Sequence, residues 1–280
     1  MLKHKEIHLK SREKGSPTGV LTSETLPISR VDSETREQMW RLYVAYYSDA
    51  MRETFIDDFS AKDHVIILRD SGNGSLQGFS TLQCFGTKVQ GKPLYVIYSG
   101  DTLVSKEYWG QNALQKAFFK YIVKCKISHP FRKVYWFLIS KGYKTYLLLS
   151  RNYPVYWPRH DKPTPSWEKN IIDTLGADKF GDEYYPEKGI IHHEDCPGKL
   201  RASVAPIGED LRKNHPDIDY FVKRNPFHAE GDELCCLGLV CPSMWMFYVG
   251  RLCKKLLPGG VFSAARRLSG RLQTEQSYRQ

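Results

Sequence analysis

The feature that most constrains the fold is a change of hydrophobic period between residues 94 and 139. Leu94–Val104 (LYVIYSGDTLV) is a long apolar run typical of a strand, and residues 111–127 repeat apolar side chains at helical spacing. Val134–Ile139 (VYWFLI) is then a short buried strand. Because two strands joined through a helix form a right-handed crossover, this pattern predicts a parallel pair of strands.

Two further strands precede this unit. His64–Leu68 and Leu76–Phe85 are apolar and rich in β-branched or aromatic residues, and residues 70–74 (DSGNG) between them are strong turn formers. With Leu94–Val104 they predict an antiparallel meander of three strands.

The remaining elements follow from helical spacing, caps and short apolar runs. Helices are predicted from Asp32 or Ser33 to about Met51 and at 55–59, 143–152, 165–175 and 215–224, and strands at 19–21, 187–192 and 233–240.

The net charge of +10 is concentrated at the two ends of the chain. Residues 1–31 carry +3 and residues 242–280 carry +6, which leaves +1 for residues 32–241. The charge predicts a mobile basic arm at 1–31, a near-neutral body at 32–241 and a basic tail at 242–280. Nucleic acid is an unlikely partner, because the body has no basic stripe and no nucleic-acid reading motif.

The tail interleaves apolar side chains with Lys and Arg, a pattern typical of segments that lie on an anionic membrane surface. A helix packed on the body and a contact between two copies are the rival interpretations. The seven cysteines are an odd count, and residues 1–14 are polar rather than a secretory leader. We therefore expect free thiols in the cytoplasm, with a peripheral position on the inner face of a membrane as the alternative.

A turn at residues 104–114 joins the long strand to the crossover helix. It contains Val104, Glu107, Tyr108 and Gly110 in the order Val-x-x-Glu-Tyr-x-Gly. This turn, together with the order of elements over residues 32–155, resembles the GNAT superfamily of acyl-CoA N-acyltransferases. The resemblance implies an α+β fold with a mixed, mostly antiparallel central sheet, flanking helices and a splayed strand-to-helix elbow.

The resemblance also implies a donor site. A helix N-terminus offers unpaired N–H groups and a positive dipole end, which suit a pyrophosphate, and glycine permits close approach of the backbone. The N–H groups near Gln111–Gln115 would hold the pyrophosphate of coenzyme A, and the backbone of Leu103 and Val104 would pair with the pantetheine arm. The donor-binding residues are thus predicted to be Leu103, Val104, Gly110, Gln111, Asn112, Ala113, Leu114 and Gln115.

The elbow departs from the family pattern at three positions. Asn112 and Leu114 stand where the family has its second and third glycines, and Trp109 replaces the usual Arg or Gln before Gly110. An acyl carrier protein is therefore the alternative donor.

Aminolysis of a thioester needs a base for the attacking amine and an acid for the leaving thiolate. By resemblance, Asp101 is the candidate base, because it lies three residues before Val104 on the strand that leads into the elbow. Leu148 occupies the position where the family usually has its acidic Tyr. Tyr146 is the favoured substitute, and Tyr143 on the same helix is the alternative.

Other clusters are weaker candidates. His192–Cys196 (HHEDC) lacks the paired spacing of a zinc site and is expected to be a turn with solvated histidines, so no metal is predicted. Cys235 and Cys236 are expected in the core. The segment Tyr153–Trp167 either lines an acceptor or acyl pocket through Arg159, His160 and Asp161, or packs as a surface loop.

The sequence thus predicts an enzyme that moves an acyl group directly from acetyl-CoA or another acyl-CoA to an amine acceptor of unknown identity. Acyl-CoA is a co-substrate, and no permanently bound cofactor is expected. A transferase that uses a carrier protein or long-chain donor at a membrane, and a GNAT-like module that binds without catalysis, are the alternatives.

Overall fold

The computed structural model describes residues 19–193, 198–241 and 243–244, and its elements are numbered here in chain order. The strands are β1 Leu21–Pro27, β2 Tyr47–Ser48, β3 His64–Asp70, β4 Leu76–Val89, β5 Lys92–Val104, β6 Lys133–Ser140, β7 Tyr156–Trp157, β8 Tyr184–Tyr185, β9 Ile190–Ile191, β10 Lys199–Leu200 and β11 Glu233–Val240. The helices are α1 Ser33–Tyr46, α2 Arg52–Ser60, α3 Ala113–Ser128, α4 Tyr143–Asn152, α5 Ser166–Phe180, α6 Glu209–Asn214 and α7 Pro216–Arg224.

A nine-stranded sheet in the order β1-β3-β4-β5-β6-β11-β9-β8 forms the centre, and β7 pairs with β11 beside this path. Its strand pairs are antiparallel except β5 with β6, which are parallel and joined by α3. The meander, the crossover and the mixed, mostly antiparallel α+β sheet are therefore confirmed. The short strands β2 and β10 pair separately.

Helices cover both faces of the sheet because alternate strand residues are apolar on each side. On one face, α3 and α4 pack through Ile122 and Leu149 against side chains that include Ile97 and Leu138. On the other, α1 and α2 cover the β3–β4 side and α5 covers the β5–β6 side. Each fully buried large aliphatic side chain stabilises the fold by about 1.5–3 kcal/mol.

The prediction of a mobile arm at 1–31 is wrong for its later part. Leu21–Pro27 is an edge strand that pairs with β3 along its whole length. The elbow also holds this strand, since the Gln111 side chain accepts a hydrogen bond from Leu21 N at 2.8 Å and donates one to Gly19 O at 3.0 Å. The sheet therefore begins before the predicted boundary at residue 31, while residues 1–18 lie outside the described residues.

Most predicted elements occur within a few residues of their expected bounds. The exceptions are α1, which ends at Tyr46 rather than near Met51, α5, which continues to Phe180, and Tyr153–Trp167, which contains the short strand β7. The predicted tail at 242–280 lies outside the described residues apart from Ser243 and Met244. None of the helices in the described ranges is long and apolar enough to cross a membrane.

Candidate active site between the splayed strands

Strand β5 carries a bulge in the middle of its pairing with β4. Between the pairs that Ser99 and Thr102 make with β4, two residues, Gly100 and Asp101, oppose the single residue Thr81. A bulge bends its strand and redirects the side chains that follow. Glycine is required here, because a Cβ at Gly100 would lie 2.8 Å from Thr81 Oγ1.

The bulge coincides with the separation of β5 from β6. Their parallel pairing ends at Ser99, although β5 continues to Val104 and β6 to Ser140. Within the described residues, Gly100–Val104 has no strand partner on its β6 side. Its backbone groups there can hydrogen-bond to an extended ligand, as an exposed sheet edge does.

A cavity of about 860 Å³ occupies this gap. Gln111, Gln115 and Leu148 line it from the α3 and α4 face, and Tyr43 and Phe55 line it from the α1 and α2 face. The cavity therefore reaches both faces of the sheet at the point where the strands part. Its volume is at the upper end of the range of about 300–1,000 Å³ that is common for ligand sites.

Asp101 lies in the wall of this cavity. Burial is the main cause that raises its pKa to about 7, the charge of Asp58 raises it further, and the charges of Lys141 and Lys62 oppose them. A carboxylate with a pKa near neutrality can take a proton from an amine and release it to solvent. The base that was predicted from the resemblance thus occupies a cavity and has a suitable pKa, and its catalytic role stays a prediction.

A chain of hydrogen-bonded charged groups lines the same cavity. Lys141 Nζ lies 3.4 Å and His193 Nε2 lies 3.2 Å from the same oxygen, Oε1 of Glu233. His193 Nδ1 lies 3.0 Å from Glu183 Oε1. The side chains of Lys141, His193 and Glu233 are each 9% exposed, so water screens their charges weakly.

The pKa shifts of Glu233 and His193 favour the charged forms of these two side chains. Burial alone would raise the pKa of Glu233, but the charge of Lys141 and the hydrogen bond from His193 outweigh burial and lower it. Burial would likewise lower the pKa of His193, but Glu233 and Glu183 raise it. The charges of Lys141 and Glu233 act on Asp101 in opposite directions.

Sequence reasoning missed these residues. The expectation that both histidines of the His192–Cys196 cluster are solvated is wrong for His193, which is buried between two carboxylates. Residues 194–197 of the cluster lie outside the described residues. A signal was available at Glu233, because a carboxylate at the start of the apolar strand ELCCLGLV needs a buried partner.

The elbow follows β5 directly. Lys106–Tyr108 forms one turn of 3-10 helix, and α3 begins at Ala113. Gly110 has φ +94°, a backbone conformation that favours glycine, although the space around its missing Cβ is open within 4 Å. Glycine is therefore needed for the backbone conformation of the turn rather than for lack of space. Gly110 lines the large cavity, and the open space lies beside it.

The N-terminus of α3 faces this cavity. Asn112 is the N-cap, but its side chain makes no capping hydrogen bond. The first N–H groups of a helix have no partner within the helix, and here the cap side chain does not supply one. Gln111, Asn112, Leu114 and Gln115 line the cavity, whereas Ala113 does not. The elbow and Asp101, which the same resemblance predicted, thus line one cavity.

Trp109 occupies part of the predicted donor path. Its Nε1 donates a hydrogen bond to Val104 O at 2.8 Å, and Lys144 Nζ lies 3.1 Å from the centre of its ring. Burial and the charge of Lys106 lower the pKa of Lys144 to about 8. The Val104 carbonyl, which was expected to pair with pantetheine, is therefore held by the indole in this structure, while Leu103 lines the cavity next to it.

Tyr146 is not in the cavity wall. It is completely buried, and its hydroxyl donates a hydrogen bond to Pro158 O at 3.0 Å. Tyr143, one helical turn earlier on α4, does line the cavity, and burial raises the pKa of its phenol. The geometry therefore favours the alternative tyrosine over the one preferred from the sequence.

Two other sequence candidates lie elsewhere. In the Tyr153–Trp167 segment, Arg159 pairs with Asp161, and His160 Nδ1 lies 3.0 Å from Asp217. None of these residues lines the large cavity, which favours a packed surface loop. Cys235 and Cys236 are buried in β11, as expected. Among the described residues, no group of His, Cys, Asp and Glu is arranged to hold a metal ion.

The bulged strand, its separation from a parallel neighbour and the elbow that opens the crossover helix form the arrangement that the resemblance implied. The sheet is mixed and mostly antiparallel, as the resemblance implied. No family model and no curated protein sequence matches this chain. Its functional assignment therefore depends on the geometry of the cavity and the residues that line it.

Solved structures show low overall similarity to this chain. N-myristoyltransferase of Saccharomyces cerevisiae with bound myristoyl-CoA has 15% identity and a TM-score of 0.34, over 46% of this chain and 33% of the yeast chain. The chain thus spans about a third of that relative. The GNAT-family N-acetyltransferase YhbS of Escherichia coli in complex with CoA has 14% identity and a TM-score of 0.34, over 51% and 78% of the two chains. NAA60 of Arabidopsis thaliana in complex with acetyl-CoA has 16% identity and a TM-score of 0.35, over 46% and 84%.

Proposed function

We propose that this protein is an N-acyltransferase that moves an acyl group from an acyl-CoA thioester to an amine by direct transfer. The observation that carries the proposal is the cavity in the splay, which has Asp101 in its wall and the open N-terminus of α3 at its edge. Because residues from both faces of the sheet line this cavity, a donor can enter from one face and an acceptor from the other. Direct transfer needs both substrates in the site at the same time.

The donor fits the face that carries α3. The N–H groups at the start of α3 suit the pyrophosphate, and the unpaired edge of Gly100–Val104 suits the amides of pantetheine. The thioester carbonyl would then lie at the bulge, where a backbone N–H can polarise it. An acyl carrier protein would present the same pantetheine arm without the nucleotide, so binding of free acyl-CoA separates the two donors.

The acceptor fits the opposite face, on which Tyr43, Phe55 and Asp58 line the cavity. The amine nitrogen attacks the thioester carbon, a C–N bond forms and the C–S bond breaks. Asp101 takes the proton that the nitrogen loses, and the thiolate receives a proton from Tyr143. The products are an amide and free coenzyme A, and exchange with solvent restores both side chains.

Isothermal titration with acetyl-CoA and longer acyl-CoA thioesters tests the donor, and mass spectrometry of product amides from an amine panel tests the reaction. We expect D101N to lower kcat by about 10²–10⁴, the usual contribution of a general base, while the donor dissociation constant stays within a factor of about two. G110W should abolish donor binding. If no thioester binds and no amine is acylated, the proposal is wrong.

A matched control is D173N. Asp173 is a carboxylate on α5 that pairs with Lys169 outside the cavity lining. Its replacement removes one negative charge, as D101N does, but it should leave kcat unchanged. The predicted membrane contact of residues 242–280 lies outside the described residues and stays a separate prediction.

A further inference from the structure

A second, smaller cavity lies between the sheet and the helices α3 and α4. Phe118, Phe119 and Ile122 of α3 line it, together with Trp136 of β6 and the buried Met244. It has a volume of about 60 Å³, and most of its exposed lining is apolar. The proposed reaction at Asp101 leaves this cavity without a use.

The small cavity borders the large one. Both are lined by a shared set of residues from β5, α3 and α4, namely Thr102, Leu114, Gln115, Thr145, Leu148 and Asn152. Thr102 directly follows the bulge, where the thioester carbonyl is placed in the proposed function. A group attached to that carbonyl can therefore enter the small cavity without crossing the sheet.

The polar side chains of its sheet wall already have partners. The Ser80 and Thr102 hydroxyls are 2.8 Å apart, and Ser99 Oγ accepts a hydrogen bond from Trp136 Nε1 at 2.9 Å. Their hydrogen-bonding needs are met within the protein, so a hydrocarbon group can contact them without removing a hydrogen bond. Gln115 Oε1, in the lining that both cavities share, is buried and has no hydrogen-bond partner. It can accept a hydrogen bond from an amide N–H of the donor.

We infer that the small cavity is the acyl-chain subsite of the enzyme and that the preferred donor carries a short linear chain rather than acetyl. The inference rests on the proposed function. Since a water-sized group needs roughly 15 Å³ of such volume, the cavity holds about four carbon atoms beyond the carbonyl. The preferred chain is therefore about five carbons long.

Titration calorimetry with acetyl-, butyryl-, hexanoyl- and decanoyl-CoA tests this subsite, because it measures binding without an acceptor. Each methylene buried in an apolar site should tighten binding by about fourfold. We expect affinity to rise from acetyl to hexanoyl and to stop rising, or to fall, at decanoyl.

Phe118 offers variants that shift this limit in opposite directions. It is partly buried, lines only the small cavity and packs against Trp136 with 4.7 Å between ring centres. F118A should enlarge the cavity and move the tightest donor to octanoyl or longer, whereas F118W should fill it and favour acetyl or butyryl. F119A enlarges the same wall and serves if F118A does not fold.

Phe85 provides the matched control, since it is also a partly buried Phe that packs on the core but lines neither cavity. F85A should lose a comparable amount of stability and keep the wild-type chain-length profile. Equal affinity for all four thioesters, unchanged in F118A and F118W, would overturn the subsite and leave the proposed function intact. Failure of every thioester to bind would overturn the proposed function itself.

Discussion

The charges around Asp101 lead to a prediction with two opposite signs. Lys141 lowers the pKa of Asp101, and Glu233 raises it. K141M keeps most of the side-chain volume and removes the positive charge, so it should raise the pKa of Asp101 above about 7. E233Q removes a negative charge and leaves Lys141 without its partner at 3.4 Å, so it should lower that pKa.

The expected size follows from the low exposure of the two side chains. At an effective dielectric constant of about 20, unit charges about 12 Å apart interact by about 1.4 kcal/mol, which corresponds to one pKa unit. Asp101, Lys141 and Glu233 line one cavity, so each variant should shift the pKa of Asp101 by about one unit or more. In K141M, His193 still lies 3.2 Å from Glu233, and its hydrogen bond and charge still lower the pKa of that carboxyl.

The assay is the pH dependence of kcat/KM, whose acid limb reports the free enzyme's essential base. The same amine is used for all variants, so its own ionisation cancels in the comparison. Because a base must be deprotonated, a raised pKa moves the acid limb to higher pH in K141M, and a lowered pKa moves it to lower pH in E233Q. Infrared titration of the protonated carboxyl band gives the same pKa without turnover.

The two variants disturb the same buried contact, so general damage predicts changes of the same sign. Shifts in one direction, or no shift in either variant, would refute the assignment of Asp101 as the base. K169M is the control, because Lys169 pairs with Asp173 on α5 outside the cavity lining, and its removal should leave the acid limb in place.

Three further predictions concern other parts of the site. Because the pKa of Asp101 is raised in the folded protein, its protonated form stabilises the fold at low pH, and this contribution is lost as the pH rises toward about 7. In urea unfolding, D101N should therefore be more stable than wild type at pH 8, by up to a few kcal/mol. The difference should shrink below pH 4. W109F removes the indole N–H that donates to Val104 O and so frees this carbonyl for pantetheine. The KM for acyl-CoA should then fall about fivefold, which is the equivalent of one hydrogen bond. An unchanged KM would show that pantetheine does not use this carbonyl. Y143F should lower kcat with little loss of stability, whereas Y146F should lower the unfolding free energy by about 1 kcal/mol and leave kcat near wild type; the reverse result would restore Tyr146 as the acid.

The sequence predicted the central elements because their signals are local. The apolar runs of β3 to β6 and the helical period of α3 each depend on burial within one element, so they are visible in a short window. β1 lacks such a signal, because most of its residues are exposed at the sheet edge. It is held by pairing with β3 and by the Gln111 side chain, contacts with residues far along the chain that no local pattern records.

The candidate site divides in the same way. The elbow could be identified because its strand, turn and helix are consecutive. Lys141, His193 and Glu233 could not. Lys141 directly follows β6, His193 lies in the segment after β9 and Glu233 begins β11, so they meet only when β11 pairs with β6. Alignment placed Leu148 at the family's acid position, and Tyr146 was preferred over Tyr143 as the substitute, but the turn of α4 decides which tyrosine lines the cavity.

The bulge connects these parts, and the sequence contains a signal for it. A glycine inside an apolar strand indicates a bulge or a close approach of another group, and Gly100 makes both, since a Cβ there would also lie 2.9 Å from Lys62 Cε. The extra residue sets Asp101 into the cavity wall, and β5 leaves β6 at the same point. The Ser-Gly-Asp sequence of residues 99–101 therefore accounts for the position of the Asp101 carboxylate and for the close approach of Lys62 to Gly100. It also marks the point where β5 and β6 separate, at which the donor is proposed to bind. In this chain, the irregularity of a single strand accounts for both the position of the candidate base and the cavity beside it.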